Sequence, residues 1–303
     1  MLKESMLYLA RQEGIRTFVI ANPTTRRVAR RFVAGEELSD ALAVARTLNQ
    51  RHISASLDLL GENVSVASEA RATADNYMRT LDAIQAMGVE ANISVKLTAL
   101  GLDLGDDLCR ANLTRVLQRA QEYGSFVRVD MEGSDYTRRT LNLVVDLHQQ
   151  FDNVGTVIQS CMYRSPDDVA LLIEHGVRVR LVKGAYLEPP TLAFPHKVDV
   201  DAQYVLLMRA LLERGVYPAI ATHDEHIIQE AIRIAKAQGI ARARFEFQML
   251  YGIRRDLQTR LADAGYNVRV YVPYGSQWYP YLTRRMAERP ANLMFVVGNA
   301  FRG

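Results

Sequence analysis

The sequence predicts an α/β protein in which eight β/α units close into a TIM-like (β/α)8 barrel. Short β-rich runs alternate with longer segments of helical periodicity, and this alternation favours parallel strands. Eight such runs are present, which is the number that closes a barrel of this type. The rival architecture, an open doubly wound sheet, usually carries a glycine-rich phosphate turn. Neither GxGxxG nor GxxxxGK(S/T) follows any of the eight runs.

The strand candidates follow one another along the chain in the order expected of repeated β/α units. They are His52–Leu60, Ala91–Leu97, Phe126–Met131, Gly155–Ser160, Arg178–Gly184, Tyr217–His223, Phe245–Leu250 and Val268–Gly275. In the first two, small or polar residues alternate with branched apolar ones, because one face of a barrel strand fills the interior and the other packs on helices. The clearest helical segments are Glu69–Met87, Thr137–Gln150 and Asp201–Arg214.

The segments that flank the strands complete the expected layout. We expect residues 1–303 to form one domain, with 1–50 as an N-terminal helical extension that caps the barrel and a final helix over the barrel mouth. The irregular segment Leu187–Val200 contains three prolines and is long for a connection between a strand and a helix. It is therefore predicted to be a functional loop, with a surface excursion that has no role as the alternative.

Composition excludes several classes of function. The net charge is only +3, and no run of Lys and Arg is interleaved with aromatic residues, so nucleic-acid binding is not expected. Cys109 and Cys161 lack a CxxC partner, which argues against a disulfide framework or a cysteine zinc site. No secretion signal or apolar stretch of membrane-spanning length is evident, and a cytoplasmic protein is expected. His223 and His226 lack the HExxH order, so no metal is expected.

Polar residues stand at the carboxyl ends of all eight predicted strands, where a barrel of this type carries its chemistry. They include Asp58, Glu62, Lys96, Asp130, Glu132, Gln159, Arg180, Lys183, Tyr186, Thr222, His223, Gln248 and Tyr271. Each has an ordinary structural explanation when taken alone, such as helix capping or a snorkelling lysine. Their joint placement at one barrel mouth favours a site for a large polar cofactor and a small charged substrate.

The last predicted helix carries adjacent arginines, Arg284 and Arg285, among aromatic residues. Planar guanidinium groups can hold a carboxylate through two parallel hydrogen bonds, which lysine cannot do. Tyr281 and Glu288 lie three or four residues from the pair and can hold it in place. A charged, solvent-facing helix is the alternative, and the neighbouring aromatic residues argue against it.

Five motifs together resemble the proline dehydrogenase family, both its short bacterial enzymes and the corresponding domain of bifunctional proline-utilisation proteins. They are Ile93–Leu97, Leu181–Tyr186, Phe245–Leu250, Tyr271-x-Pro-x-Gly275 and Arg284-Arg285-x-x-Glu288. The likeness runs through all eight strands, from about Val33 to Arg289. The spacing from Gly275 to the arginine pair is shorter than in the bifunctional enzymes, which affects the geometry expected at the start of the last helix.

The resemblance implies FAD at the barrel mouth, with L-proline between the flavin and the last helix. Arg284, Arg285 and Lys96 would bind the proline carboxylate, and Tyr271, Tyr186 and Leu250 would surround the ring. Asp130 would order the pocket, Arg180 would lie near flavin N5, and Glu62 would close an ion-pair gate with Arg284. The implied cofactor contacts are Met131, Gln159, Arg180, Lys183, Gly184, Ala185, Thr222, His223, Gln248 and Glu288.

The implied reaction transfers a hydride from proline to flavin N5 and yields 1-pyrroline-5-carboxylate, the first step of proline catabolism. Electrons would pass to a quinone, which implies transient contact with the inner face of the cell membrane. The amine must be neutral to release hydride. We therefore expect the clustered cations Lys96, Arg180, Arg284 and Arg285 to lower its pKa.

Two other functions remain open from the residues alone. Lys96 or Lys183 on an interior strand could act as the nucleophile of a Schiff-base aldolase. A non-enzymatic barrel that captures an amino acid is the third interpretation, although it requires fewer polar strand ends than this chain carries. The oligomeric state is left open.

Overall fold

In a computed structural model, residues 29–288 are described, with side chains through Thr283, and they confirm the predicted closed barrel. Eight parallel strands pair in chain order. They are β1 Ser54–Leu59, β2 Ala91–Val95, β3 Val127–Val129, β4 Val154–Gln159, β5 Arg178–Val182, β6 Ala219–Ala221, β7 Glu246–Leu250 and β8 Asn267–Tyr274. β1 pairs with β8 from Ser54 opposite Arg269 to Leu59 opposite Tyr274, and this ladder closes the barrel. Residues 1–28 of the expected helical extension lie outside the described part.

The described helices surround the strands. They are α1 Leu38–Asn49, α2 Ala67–Met87, α3 Asp106–Glu122, α4 Ser134–His148, α5 Ser165–Glu174, α6 Lys197–Arg214, α7 Glu225–Ala237, α8 Arg255–Asp263 and α9 Trp278–Glu288, with short 3-10 turns at Leu102–Leu104 and Arg242–Arg244. Local interactions determine where some of these helices begin or end. Gly88 ends α2 in the left-handed region at φ 58°, and the Asp224 side chain accepts a hydrogen bond from His226 N at the start of α7.

The predicted loop Leu187–Val200 is shorter in the structure, because α6 begins at Lys197 rather than at Asp201. Lys197 pairs with Asp201 one turn later, so the first turn has support that periodicity alone did not reveal. The remaining loop is ordered against its neighbours: Tyr163 N donates to Leu192 O, and Phe194 N donates to Cys161 O. Tyr163 and Phe194 also meet edge to face, with ring centroids 4.6 Å apart.

The apolar core lies between the barrel and its helices. Alternate strand residues such as Leu57, Ile93, Val129 and Phe247 are fully buried there. The opposite face of the strands fills the barrel interior with polar side chains, and Ser56 contacts Ser94 across adjacent strands. The two faces follow from the period of two along each strand.

A second, smaller apolar cluster joins the last helix to the first described residues. It comprises Ala29, Phe32, Val33, Leu60, Trp278, Tyr279, Tyr281 and Leu282, and we call it the α9 cluster. Ala34 N donates to Pro273 O, and Gly275 N donates to Gly35 O, so the entering chain is also tied to the end of β8. The aromatic residues of α9 are thus buried, and the helix lies beside the carboxyl ends of β1 and β8.

Within residues 29–288, no helix has the length and hydropathy needed to cross a membrane. Neither Cys109 nor Cys161 forms a disulfide bond in the described part of the chain.

Candidate functional site

The centre of the barrel mouth is an ion network that joins five strands. Lys96 Nζ lies 2.5 Å from Asp58 Oδ1 and 3.9 Å from Asp130 Oδ2. Asp130 accepts two further hydrogen bonds, from Arg180 Nη1 at 2.8 Å and from the Tyr271 hydroxyl at 2.7 Å. The Arg180 guanidinium also lies over the Tyr271 ring, 5.3 Å from its centroid. The structure therefore brings Lys96, Asp130, Arg180 and Tyr271 together as expected.

Burial and charge together set the protonation states in this network. Burial opposes the charged form of Lys96, but the adjacent Asp58 and Asp130 carboxylates outweigh it and raise the pKa of the lysine above its ordinary value. Burial first, and Asp130 second, raise the pKa of Tyr271 well above its ordinary value. Lys96 is therefore a cation, and Tyr271 is a neutral hydrogen-bond donor.

The described residues add two carboxylates to the cations that we expect to lower the pKa of a bound amine. Two carboxylates, Asp58 and Asp130, accompany the two described cations, Lys96 and Arg180. Asp58 is 1% exposed, and its Oδ2 atom has no hydrogen-bond partner in the structure. Each described cation has a carboxylate beside it, which offsets part of its repulsion of a protonated amine. The side chains of Arg284 and Arg285 lie outside the described residues, so the lowered amine pKa stays a prediction.

Beneath this network, Arg180 continues into a second set of contacts. Its Nε donates to Gln248 Oε1 at 2.5 Å, and its Nη2 donates to Ser94 Oγ at 3.1 Å. Gln248 in turn donates to Glu246, which pairs with Arg269 through both carboxylate oxygens, each 3.1 Å from Arg269 Nε. Polar residues at alternate positions on β7 and β8 are the sequence signal that could have identified Glu246 and Arg269 in advance.

A partly exposed polar rim follows the ends of β4 to β7. Lys183 Nζ pairs with Asp201 at 2.6 Å and with Asp224 at 2.9 Å, and Thr222 Oγ1 accepts from Asp224 N. His223 Nε2 accepts from Leu250 N at 3.0 Å, so this ring is in the form that keeps its proton on Nδ1. The two carboxylates that hold Lys183 were not expected from the sequence.

Glu132, which follows the third predicted strand, forms a buried pair with Thr98 that the sequence did not predict. Thr98 donates to Glu132 through both its amide nitrogen, at 3.2 Å, and its hydroxyl, at 2.6 Å. Asn63 N donates to the same hydroxyl at 3.4 Å. Because Glu62 precedes Asn63, the loop with the proposed gate residue is tied to the ends of β2 and β3.

The loop after β5 is tied across the mouth in a similar way. Glu188 Oε1 accepts from Ser134 N at 3.0 Å, so it caps α4 in place of a local residue. Tyr186 and the turn Lys183-Gly184-Ala185 lie in this loop. Gly184 has φ 119°, and a Cβ there would lie 2.4 Å from Cys161 Sγ, so only glycine fits.

The side chains of Arg284, Arg285 and Glu288 lie outside the described residues, which include only their helical backbone in α9. The proposed carboxylate grip and the gate between Arg284 and Glu62 thus stay predictions. Of the other expected residues, Arg180, Gln248 and Tyr271 lie inside β5, β7 and β8. The rest lie at the end of a strand or in the loop that follows it. The described residues contain no group of three or more His, Cys, Asp or Glu side chains that could hold a metal.

The mouth offers the chemistry that a flavin requires. Arg180 and Gln248 give buried donors and acceptors at the barrel axis, with the partly buried Tyr271 hydroxyl above them. Lys183 and His223 give a more exposed polar rim beside the buried Thr222. A flavin dinucleotide has a ring with polar edges and a polar, charged tail, and this division between axis and rim suits both parts.

Comparisons with known proteins agree on one family. The sequence profile described as proline dehydrogenase matches residues 41–297. Proline dehydrogenase of Deinococcus radiodurans is 44% identical over 281 residues, 91% of each chain. Proline dehydrogenase 2 of Bacillus subtilis strain 168 is 38% identical over 301 residues, 99% of this chain and 98% of that one.

A solved structure shares the fold. Proline utilization A (PutA) from Bdellovibrio bacteriovorus, inactivated by N-propargylglycine, superposes with a TM-score of 0.82 at 28% identity. The match covers 87% of this chain but only 33% of that longer one.

Proposed function

The chain belongs to the proline dehydrogenase family, and from this premise we propose that it oxidises L-proline to 1-pyrroline-5-carboxylate with FAD as cofactor and a quinone as electron acceptor. This would be the first step of proline catabolism. The observation that carries the proposal is the buried network of Lys96, Asp58, Asp130, Arg180 and Tyr271 at the barrel mouth. It places a cation, an arginine and an aromatic hydroxyl around one small space.

We propose that Arg284, Arg285 and Lys96 bind the proline carboxylate. A cation that stays charged at all working pH values, as Lys96 does, suits this role. Tyr271, Tyr186 and Leu250 would surround the pyrrolidine ring, and Glu62 would close over it through Arg284. The tie from Asn63 to Thr98 supports this by fixing one side of the Glu62 loop.

FAD would be held by Met131, Gln159, Arg180, the Lys183-Gly184-Ala185 turn, Thr222, His223, Gln248 and Glu288. When bound, the flavin supplies the hydride acceptor of the reaction. The protein's own residues orient the substrate: Asp130 holds Arg180 and Tyr271 in one geometry, and such positioning contributes several kcal/mol to catalysis in well-oriented sites, on the order of 7 or more.

A membrane quinone as acceptor implies a cytoplasmic protein that contacts the inner face of the cell membrane transiently. The support is the family, and no described helix would anchor the chain permanently.

The aldolase alternative is disfavoured by the carboxylates that lie beside both lysines. A Schiff-base lysine needs a neutral amine, usually obtained by lowering its pKa. Lys96 instead has a raised pKa beside Asp58, and Lys183 pairs with Asp201 and Asp224.

An absorption spectrum of the purified protein, with and without L-proline under anaerobic conditions, tests the proposed function. We expect flavin bands that bleach on addition of L-proline and recover with a quinone. D-proline is the matched control, because a site that fits one stereoisomer should not let the other bleach the flavin bands. A colourless protein that is trapped by borohydride with a carbonyl substrate would instead support the aldolase.

A further inference from the structure

A chain of hydrogen bonds runs along the barrel interior below the mouth, from Arg269 through Glu246 and Gln248 to Arg180. Glu246, Gln248 and Arg180 are 3%, 4% and 5% exposed, so the chain is shielded from water. Glu246 also accepts from the Tyr217 hydroxyl at 3.3 Å. The chain links the amino-terminal part of the barrel to the network at the mouth, and the known roles of the mouth residues do not account for it.

The chemistry of the chain dictates the orientation of the Gln248 amide. A guanidinium group can only donate, and an ionised carboxylate can only accept. The amide between them must therefore turn its nitrogen to Glu246 and its oxygen to Arg180. The reverse orientation would set an amide N–H against the Arg180 Nε–H and an amide oxygen against the carboxylate, at a cost comparable to two buried unsatisfied groups. Glu246 thus decides which Gln248 atom faces Arg180.

Glu246 is held in the acceptor-only form. Burial opposes its ionisation, but the Arg269 guanidinium and the hydrogen bonds from Arg269 and Gln248 outweigh burial and lower the pKa of the carboxyl. The anchor is therefore charged across the working range of pH. Arg180 has two other anchors, Asp130 and Ser94, and both contact its terminal nitrogens. Gln248 is the partner of Arg180 Nε. This nitrogen is the guanidinium donor nearest the strand, so its hydrogen bond sets the plane of the group.

We propose that Glu246, which is buried at the amino-terminal end of β7, is a positioning residue that fixes the Arg180 guanidinium through Gln248. The proposal rests on the proposed function, in which Arg180 lies beside the reactive edge of the flavin. Arg269 pairs with the Glu246 carboxylate and so completes the chain of contacts from Arg269 to Arg180. The reaction would therefore depend on an ion pair in the half of the barrel opposite the mouth.

The first test follows Arg180 directly by NMR of arginine Nε–H groups in the full chain, with and without bound flavin. The Arg180 signal is the one lost in R180K. The test variant is E246M/R269M, because apolar residues of similar size often replace a buried ion pair without loss of folding. We expect the Arg180 Nε–H to exchange with solvent at least about tenfold faster in this variant, since its Gln248 acceptor is no longer anchored. An unchanged chemical shift and exchange rate would overturn the proposal.

The second test asks whether Glu246 acts through Arg180. The rate of flavin reduction by L-proline is measured anaerobically in wild type, E246M/R269M, R180K and the combined variant. We expect the pair replacement to slow reduction about tenfold when Arg180 is present and less than about twofold in the R180K background. Equal fold-changes in both backgrounds would show that the ion pair acts independently of Arg180, and the proposal would be wrong.

Two further variants complete the design. E246Q retains one acceptor oxygen and covers the case in which the double variant fails to fold; a loss in the same direction in both tests is expected, and no change in either contradicts the proposal. E225Q is the matched control, since Glu225 also pairs with two arginines, Arg254 and Arg260, but on the outer helices. It should leave both readouts unchanged. If wild type is not reduced by proline, the proposed function fails, while the NMR test of the Arg180 anchor still stands.

Discussion

At the scale of single residues, removing the Tyr271 hydroxyl tests whether this side chain orients its neighbours or only encloses the proposed substrate. It donates to Asp130 while its ring stacks on Arg180. We expect Tyr271→Phe to keep the ring but lower kcat/KM for proline about tenfold, because a hydrogen bond to a charged group contributes about 1.5–3 kcal/mol. Steady-state kinetics check this. Tyr274→Phe is the matched control: Tyr274 also has a buried hydroxyl, bonded to Thr80 at 2.8 Å, but on the outer face of β8. Equal losses in both variants would contradict the assignment.

Glu132 makes a prediction about the pH dependence of stability. Burial raises the pKa of its carboxyl above the ordinary value of 4.5, although two hydrogen bonds from Thr98 oppose this. The folded state then holds the proton more tightly than the unfolded state. Its contribution to stability is thus full below the ordinary value and is lost as pH rises through the raised one. We expect the melting temperature of Glu132→Gln to fall less than that of wild type from about pH 4.5 upward. The exposed Glu90→Gln should follow wild type, and parallel curves for all three would refute the prediction.

Several site residues could be read from the sequence, and others could not. Lys96, Asp130, Arg180 and Tyr271 were expected because each stands at a strand end, and barrel geometry brings such ends together. Asp58 stands at a strand end too, yet its role depends on a 2.5 Å contact across strands that no local pattern encodes. The pairing of Asp58 with Lys96 is thus visible only once the barrel is closed.

At the scale of elements, the turn after β5 allows a test of how its backbone geometry affects the proposed binding of the flavin. Gly184→Ala would place a methyl group 2.4 Å from Cys161 Sγ at φ 119°. We expect the purified variant to carry several-fold less flavin, because the backbone must shift by a distortion that costs about 1–3 kcal/mol. The ratio of flavin to protein absorbance measures this. Removing the sulfur as well, in Gly184→Ala with Cys161→Ala, should not restore binding, since the φ angle is still strained.

Gly88→Ala supplies the control for the turn after β5. Gly88 has φ 58° at the end of α2, with no atom within 4 Å of an added Cβ. This variant should lose about 1 kcal/mol of stability and keep its flavin. Similar flavin loss in both variants would mean that the effect is general instability.

All eight predicted strands were confirmed, but some of their ends were not. β5 ends at Val182 rather than at Gly184, because the glycine backbone turns out of the strand. β6 covers only Ala219–Ala221, since Tyr217 has φ 45° before the strand begins. Periodicity identifies where side chains alternate, whereas a strand ends where its backbone hydrogen bonds end. Those depend on the neighbouring strand.

At the scale of the whole molecule, the barrel core and the α9 cluster are separate apolar units. The single tryptophan, Trp278, lies in the α9 cluster and is 3% exposed. We expect tryptophan fluorescence to report unfolding at lower urea than far-ultraviolet circular dichroism, because the small cluster buries far less apolar surface than the core.

Phe32→Ala should lower the fluorescence midpoint alone. Leu113→Ala shortens a fully buried side chain that α3 contributes to the barrel core. It should lower the dichroism midpoint by the equivalent of about 2–5 kcal/mol. Coincident midpoints in wild type would show one cooperative unit.

Closure of the barrel by β1 and β8 also constrains how the protein is made. Since synthesis proceeds from the amino terminus, β1 leaves the ribosome more than two hundred residues before its partner β8. Until then the nascent chain can build only an open sheet with two unpaired edges, the form most prone to association with other chains. Asp58 and Ser56 place polar groups on the inner face of that early edge. The Asp58 carboxylate that later pairs with Lys96 is thus present throughout this stage, and the mouth is completed only when the eighth strand is in place.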